Sequence, residues 1–385
     1  MGAYGRPWAV AGTDDGRAIH SDHARGGPAM PVKSYRTLDG IRGITAACIV
    51  VLHSPRLFGT VPEFLGMTVD LFFVLSGFVL AHAYDDRLRH GMTTLAFLRL
   101  RWARLYPLYI LGLTLGVAHA VLCVVYNSPT EPWSWQKILV ALPASLLMLP
   151  APTGDGLFPF NGPMWTIFFE VAANLLWVAF WRPLQSRNVL CGTVFILGIL
   201  YSWALFHWRT PALGLTWSTF PGGLARVCFS FGAGLLIHRL RPRLRTPGVP
   251  PLLLMGALPT LAFLPPGPAS ALLCVFVVFP LVVLLGAGRE PSTRLGPWCE
   301  ALGKSSYCVY VLHRPLAALL YAAALQFTGV RLEAFAPWGG LIFLTAVMAA
   351  GLVLTDKVET PARRWLTQRL PRPRPLPTPE PLGTP

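Results

Sequence analysis

Long apolar runs constrain this chain more than any other feature of its sequence. A helix needs about 17–25 predominantly apolar residues to cross the hydrocarbon core of a bilayer, and runs near this length recur from residue 41 to residue 354. Of the 385 residues, 54% are hydrophobic and 13% are charged, whereas a soluble protein carries about 25% charged residues. The sequence therefore predicts an all-α, polytopic transmembrane helix bundle, a multi-pass protein of the cell membrane.

The topology depends on segment 137–150, which is short and contains Pro143. The predicted helices are 41–58, 67–84, 105–125, 137–150, 164–181, 189–206, 220–238, 250–265, 269–287, 305–327 and 337–354. The basic connections are 85–104, 182–188, 239–245, 289–304 and the tail after Lys357. Basic loops favour the cytoplasmic side of the membrane. All five basic connections lie on that side only if segment 137–150 does not span the membrane. We therefore predict ten spanning helices and one short re-entrant segment, with both termini inside.

The two ends of the chain differ from the apolar region between them. Residues 1–33 contain no apolar core of the kind found in a signal peptide, which predicts a disordered cytoplasmic tail. Residues 34–368 form the predicted transmembrane domain. Residues 369–385 alternate Pro with polar or small residues, which predicts an extended cytoplasmic tail.

Charge and cysteine content argue against two other kinds of site. The net charge is +15, but the Lys and Arg residues lie between apolar runs, where they orient the chain and contact anionic headgroups. We therefore expect no nucleic-acid partner. The seven cysteines show no paired spacing, and most lie inside apolar runs, where Cys behaves as a small hydrophobe. No metal site and no disulfide framework are expected.

Ionisable residues inside apolar segments are candidates for function, because a charge in the membrane is costly unless it is paired or hydrated. His53 lies well inside the first predicted helix. Asp39, Arg42 and His53 share one helical face, and Arg42 and His53 are about 16 Å apart along the helix axis. This stripe predicts Arg42 near the cytoplasmic interface and a functional His53 near mid-membrane or beyond.

The second and third helices carry further polar and small residues. Asp70 marks the predicted outer end of the second helix, and Gly77 and Ala81 are four apart, a spacing that lets another helix approach closely. Arg101 and Arg104 share a face just before the third helix. Paired guanidinium groups suit phosphate, although on charge alone chain orientation and lipid headgroups explain them better.

A carboxylate enters the apolar region in a later segment. Glu170 falls one to two turns inside the predicted helix 164–181, after Trp165. A buried carboxylate needs a partner, and His53 is the obvious one.

The last polar stretch lies in the predicted helix 305–327. Ser306, Tyr310 and His313 share one helical face. Arg314 is expected near mid-membrane, where Pro315 frees a backbone carbonyl. A structural pairing of Arg314 with a carboxylate and a substrate contact are equally compatible with this position.

These stretches, in this order, resemble the acyltransferase 3 family of membrane acyltransferases. The motifs that carry the likeness are Tyr35 to Gly43 with His53, Asp70 to Phe78, Arg101 to Arg104 with Pro107 and Tyr109, Trp165 to Glu170, and Ser306 to His313. The likeness spans about residues 35–365. Thr166 stands where the family usually has Ser, and Arg314 beside His313 is unusual.

The resemblance implies transfer of an acyl group, often acetyl, from cytoplasmic acyl-CoA to a hydroxyl of a glycan, a lipid-linked sugar or a small molecule. It implies that the reaction depends on His53 and Arg42 and that Arg101 and Arg104 contact the donor. Acyl-CoA is then a co-substrate, and no bound cofactor is expected.

The residues and the resemblance together predict a mechanism. Neutral imidazole, with an unperturbed pKa of about 6.5, makes His53 a suitable general base for an attacking hydroxyl. Glu170 or Asp39 is expected to hold its tautomer, and Arg36 is expected near the donor. A covalent acyl-His relay fits the same residues. The other predicted pocket residues are Asp70, Ser76, Trp165, Tyr310, His313 and Arg314.

Two other classes of function remain open on sequence alone. Ionisable residues in a membrane also form proton relays, so a proton-coupled transporter is possible, although the chain lacks the matching broken helices of inverted repeats. A non-catalytic membrane scaffold is the third reading. Within the enzyme class, a carbohydrate or glycolipid acceptor leads, and a secreted small molecule such as a glycosylated antibiotic is the alternative. The sequence makes no prediction of acyl length or oligomeric state.

Overall fold

The computed structural model describes residues 35–128, 131–152, 154–244 and 246–369, and within these ranges the chain forms α-helices and no β-strand. The predicted all-α fold is confirmed. The predicted N-terminal tail, 1–33, lies outside the described residues. So do residues 370–385 of the predicted C-terminal tail. The α-helices are α1 (Arg36–Leu52), α2 (Pro55–Phe58), α3 (Thr68–Arg89), α4 (Thr94–Val125), α5 (Trp135–Leu146), α6 (Met164–Ala179), α7 (Arg187–Trp208), α8 (Phe220–Leu240), α9 (Pro251–Thr260), α10 (Pro268–Leu273), α11 (Phe279–Gly288), α12 (Gly296–Thr328), α13 (Trp338–Leu354) and α14 (Thr360–Arg369).

Several of these helices are suited to a bilayer. Seven of the described helical stretches are long and apolar enough to cross a membrane. They are Glu63–Arg89, Thr94–Val125, Arg187–Trp208, Phe220–Arg243, Pro268–Gly288, Gly296–Thr328 and Trp338–Arg369. Two shorter apolar helices, Met164–Ala179 and Pro251–Phe263, accompany them. The chain is a multi-pass membrane protein, and the count of ten crossings with both termini inside stays a prediction.

The segment predicted not to cross the membrane is a short helix. Helix α5 has 12 residues and contains Pro143, which gives it a length of about 18 Å. The hydrocarbon core is about 30 Å thick. A helix of this length fits a segment that enters the membrane region without spanning it.

Several residues predicted to lie in basic loops belong to helices instead. The connection 85–104 was predicted as a loop, yet α4 begins at Thr94. The preceding residue, Thr93, caps the helix, because its side-chain oxygen accepts a hydrogen bond from the backbone N–H of Ala96. Arg101 and Arg104 therefore lie on α4 itself. Hydropathy identifies only the part of a helix that lies in lipid. Helix α4 has 32 residues and is about 48 Å long, so it extends beyond a hydrocarbon core of about 30 Å.

Small residues bring the central helices into close contact. Helix α1 packs along α12, and α3 packs along α8. At Gly77 on α3, an added Cβ would lie 2.0 Å from the carbonyl oxygen of Phe231, and at Gly234 on α8 it would lie 2.1 Å from that of Val74. The close approach predicted at Gly77 is confirmed. Such backbone contact supplies the van der Waals attraction that holds helices together in lipid.

A buried ion pair also joins α3 to α8. Asp70 is 0% exposed and Arg226 is 2% exposed. The Nη2 atom of Arg226 lies 2.6 Å from Oδ2 of Asp70, its Nε donates to the same carboxylate at 3.0 Å, and Ser230 donates to Oδ1 at 3.2 Å. Asp70 therefore ties two helices together.

Breaking the Asp70–Arg226 pair should destabilise the bundle strongly. Asp70→Asn leaves the Arg226 guanidinium buried without a counter-charge, which costs about 3–5 kcal/mol. Thermal unfolding of the purified protein in lipid nanodiscs measures this loss. The matched control is Asp86→Asn, because Asp86 pairs with Arg89 at the surface and such pairs contribute about 0–1 kcal/mol. Equal stability of the two variants would contradict the structural role of the buried pair.

Candidate active site

A charged cluster forms where α1, α4 and α6 approach one another. Glu170, on α6, accepts hydrogen bonds from Nη2 of Arg101 at 2.6 Å and from the Ser76 hydroxyl at 2.8 Å. The Arg101 side chain is 6% exposed and that of Glu170 is 24% exposed. The prediction that His53 is the partner of Glu170 was therefore wrong. A guanidinium satisfies a buried carboxylate better than neutral imidazole does, because it brings a permanent charge and several donors.

Arg42 and Arg104 complete this cluster from neighbouring helices. Arg42 lies 3.5 Å from the Asp39 carboxylate one turn earlier on α1. The charged groups that act most strongly on Arg42 are Asp39, Arg104 and Glu170. Arg104 itself makes no hydrogen bond or ion pair with any side chain in the described ranges. The cluster thus holds a guanidinium that has no hydrogen-bonded partner in the described ranges, with the carboxylates of Asp39 and Glu359 within electrostatic reach.

The imidazole of His53 lies against a second imidazole. The Nδ1 atom of His53 is 3.2 Å from Nε2 of His313, on α12, and the ring centroids are 5.1 Å apart. His313 is fully buried, whereas His53 is partly exposed. The sequence placed both histidines among the candidates and did not pair them.

Two backbone carbonyls fix the tautomers of this pair. Nδ1 of His53 lies 3.1 Å from the carbonyl oxygen of Ile49, and Nδ1 of His313 lies 3.1 Å from that of Val309. A carbonyl oxygen only accepts hydrogen bonds, so each Nδ1 carries the proton in the neutral pair. The one Nδ1–H of His53 is then shared between the Ile49 carbonyl and Nε2 of His313, and Nε2 of His53 keeps a lone pair. Glu170 and Asp39, which were predicted to hold this tautomer, are both engaged with arginines instead.

His53 lies at the end of its helix. The prediction placed it well inside a helix 41–58, but α1 ends at Leu52 and His53 is its C-terminal cap. The cause is Pro55, since the residue before a proline is disfavoured in the α conformation. His53 is therefore separated from Arg42 by most of the length of α1, about 16 Å, on the side of the bundle away from the charged cluster.

Pro315 lies inside α12, two residues after His313, and the helix continues through it. Proline removes a backbone donor and so frees the carbonyl four residues earlier. That carbonyl belongs to Val311, and Nδ2 of Asn161 donates to it at 2.9 Å. The predicted free carbonyl is thus present and has a partner. Nearby, the Tyr310 hydroxyl lies 2.9 Å from Oγ1 of Thr166.

Some predicted pocket residues lie elsewhere. Trp165 packs beside the buried pair of Asp70, with Cζ of Arg226 5.3 Å from its ring centroid. These residues belong to the α3–α8 contact and not to the surroundings of His53. Arg36 pairs with Glu300 at 2.5 Å, so it is engaged, where the prediction had it near the donor.

Arg314 is exposed and points away from the helix core. It makes no hydrogen bond or ion pair among the residues that the structure describes, so the alternative of a structural carboxylate partner was wrong. Its charge acts on both His53 and His119. Arg314 therefore lies within electrostatic reach of both His53 and His119.

The sequence analysis did not identify the buried charge of Arg226. Arg226 lies in the middle of the apolar helix α8, where any ionisable residue is a candidate for pairing or function. Applying that rule to every predicted helix would have found it. Its partner Asp70 was recognised, but the distance of 156 residues between them hides the pair from local spacing.

A family model described as an acyltransferase domain matches residues 35–356. The chain is similar to protein 2 in the picA locus of Rhizobium radiobacter, 39% identical over 44% of this chain and 92% of that protein. It is similar to acyltransferase MdmB of Streptomyces mycarofaciens, 26% identical over 89% of this chain and 95% of that protein.

A third relative is BcsY of Komagataeibacter xylinus, whose name ascribes to it the role of a membrane-bound transacylase. The two chains are 25% identical over 74% of each. No solved structure gives a significant match.

The two arginines of α4 should respond differently to neutralisation. Arg101→Gln leaves Glu170 without its counter-charge, and the loss of one partner from a buried pair costs about 3 kcal/mol or more. Arg104→Gln breaks no hydrogen bond or ion pair and removes only a longer-range attraction to Asp39 and Glu359, so it should change stability by less than about 1 kcal/mol. Thermal unfolding in nanodiscs distinguishes the two variants. An equal loss of stability would show that Arg104 is a structural residue like Arg101.

Proposed function

The chain belongs to the acyltransferase 3 family and is an integral membrane acyltransferase, and on this premise we propose that it moves an acyl group from cytoplasmic acyl-CoA to a hydroxyl of a carbohydrate or glycolipid, with His53 as the general base. Acetyl is the proposed acyl group. Membership of an enzyme family sets aside the transporter and scaffold interpretations. The single observation that carries the proposal is that Nδ1 of His53 faces both the Ile49 carbonyl and Nε2 of His313, from which we infer a lone pair on Nε2 of His53.

The charged cluster is the proposed site for the donor's phosphates. Arg104 makes no hydrogen bond or ion pair with the described side chains, although the carboxylates of Asp39 and Glu359 lie near enough to feel its charge. Arg42 lies close to it. Guanidinium groups bind phosphate through paired, charge-assisted hydrogen bonds. Arg101 is held by Glu170 and contributes positive charge from a fixed position. This assignment puts the nucleotide at the Arg42 end of α1 and directs the pantetheine arm along the helix toward His53.

The proposed reaction is a direct transfer. The acceptor hydroxyl gives its proton to Nε2 of His53 while its oxygen forms a bond to the thioester carbon. The carbon–sulfur bond then breaks, and the leaving thiolate takes the proton back from the imidazolium. His313 keeps Nδ1 of His53 protonated throughout and is a positioning residue, in the manner of the third group of a triad. Arg314 supplies positive charge nearby.

Replacement of His53 should abolish turnover and spare donor binding. General base catalysis contributes roughly 10²–10⁴-fold to a rate, so kcat of His53→Ala should fall by that factor. Arg104→Gln should instead weaken coenzyme A binding about tenfold or more, because a hydrogen bond to a charged group contributes about 1.5–3 kcal/mol. Calorimetric titration of coenzyme A and turnover in nanodiscs separate the two effects. Normal coenzyme A affinity in Arg104→Gln would contradict the proposed donor site.

His313 should act on kcat through the orientation of His53. His313→Ala removes one of the two acceptors that share the Nδ1–H of His53 and leaves the Ile49 carbonyl. It should lower kcat about tenfold, the value of a single hydrogen bond, with KM unchanged. His313→Gln restores an acceptor oxygen and should recover part of the loss. Steady-state kinetics at saturating acyl-CoA provide the measurement. If both variants lose the same activity, His313 serves only to fill space.

The acceptor can be identified by comparing cells that carry the wild type with cells that carry His53→Ala. Mass spectrometry of envelope glycans, glycolipids and secreted metabolites should find an acyl mass that is missing only from the variant. A carbohydrate carrying that mass supports the proposed acceptor. The same mass on a secreted small molecule, such as a glycosylated antibiotic, would establish the alternative.

A further inference from the structure

A second cluster of reactive side chains lies at the far end of α4, outside the proposed active site. His119 and Cys123 are four residues apart on this helix and therefore share a face. Both are buried, at 8% and 6% exposure, and Nε2 of His119 lies 3.6 Å from the sulfur of Cys123. Neither residue takes part in the acyl transfer derived above.

A carboxylate from the segment after α4 joins them. Oε2 of Glu131 lies 3.9 Å from Nδ1 of His119, and its side chain is 40% exposed. The position of this segment is set two residues later, where the ring of Trp133 stacks on Phe160 with centroids 5.2 Å apart. Glu131 is therefore held beside the end of α4.

The three groups lie within reach of a single metal ion. One ligand atom from each of His119, Cys123 and Glu131 can be chosen so that all lie within 4.8 Å of one another. In a tetrahedral zinc site, with Zn–N and Zn–S bonds of about 2.0–2.3 Å, a nitrogen and a sulfur ligand are about 3.6 Å apart. The Nε2–Sγ distance already has this value. We propose that His119, Cys123 and Glu131 form a site for a divalent transition metal of the Zn²⁺ type.

The charge balance is compatible with a dication. Arg56 and Arg314 act electrostatically on His119, which opposes binding of a cation. The thiolate of Cys123 and the carboxylate of Glu131 each contribute one negative charge, so the bound ion and its ligands are neutral overall. A thiolate and an imidazole also select transition metals over Mg²⁺ or Ca²⁺.

An open coordination position faces a cavity of about 140 Å³ between α4 and α12. The three ligands line this cavity together with Arg56 and Tyr321, and the guanidinium carbon of Arg56 lies 4.1 Å from the centroid of the Tyr321 ring. Zinc sites with three protein ligands keep the fourth position for water or an exogenous group. The ligand class that fits here is an oxygen donor, such as a carboxylate or hydroxyl, with Arg56 beside it.

The expectation of no metal site was based on the absence of paired cysteines, and this cluster does not use paired cysteines. It combines a His and a Cys one helical turn apart with a Glu eight residues further along the chain. Local spacing reveals the first two ligands. The third is brought in by the turn after α4, which the spacing does not predict.

Cobalt provides a direct test because a thiolate ligand gives Co²⁺ a charge-transfer absorption in the near ultraviolet. The full chain, without a histidine tag and treated with chelator, is titrated with Co²⁺ in nanodiscs. We expect one equivalent to bind with this absorption, and Cys123→Ser to lose the band while His119→Ala weakens the affinity about 100-fold or more. Cys191→Ser is the matched control, since Cys191 is an exposed cysteine on another helix, and it should behave as wild type.

Glu131→Gln keeps the test valid if the two buried variants fail to fold, because Glu131 is partly exposed. This variant should also bind Co²⁺ more weakly. Absence of stoichiometric binding to the wild type, a thiolate band that survives in Cys123→Ser, or unchanged affinity in Glu131→Gln would each overturn the proposal. The titration involves no turnover, so its outcome is independent of the proposed acyl transfer.

Discussion

The rest of the structure depends on one constraint: hydrocarbon does not solvate charge, so every ionised group within the bundle must find its partner inside the protein. Asp70 meets this requirement with Arg226, and Glu170 meets it with Arg101. Each pair joins two helices that are far apart in sequence. The pairs therefore do more than neutralise charge, because they specify which helices are neighbours.

The same constraint separates structural charges from available ones. Arg101 and Arg104 are one turn apart on α4, yet only Arg101 has a carboxylate partner among the described residues. Arg101 is held by its bond to Glu170, although its buried Nε has no partner among the described residues, whereas Arg104 is not tied to any side chain by a hydrogen bond. In the proposed function, this difference lets the cluster accept phosphate while its own framework stays in place.

The imidazole pair at the other end of α1 follows a different rule. Hydrogen bonds to backbone carbonyls can fix the tautomer of a neutral histidine. Here the last turn of α1 supplies the Ile49 carbonyl to His53, and α12 supplies the Val309 carbonyl to His313. No carboxylate is needed to set the tautomer. The length of α1 sets the separation between the cationic cluster and His53. In the proposed reaction, a donor that reaches both must therefore be extended.

The sequence by itself determined the solvent of this protein, its helical class and its family motifs, because apolar run length and motif order are properties of adjacent residues. It also singled out His53, Arg42, Arg101, Arg104 and Glu170 as groups that lipid should not tolerate. Which of these groups face one another was decided only by the tertiary structure. Glu170 pairs with Arg101 and not with His53, His53 contacts His313, and Asp70 pairs with Arg226. These partners are 69 to 260 residues apart in the sequence. They are brought together by helix packing, which no local periodicity encodes.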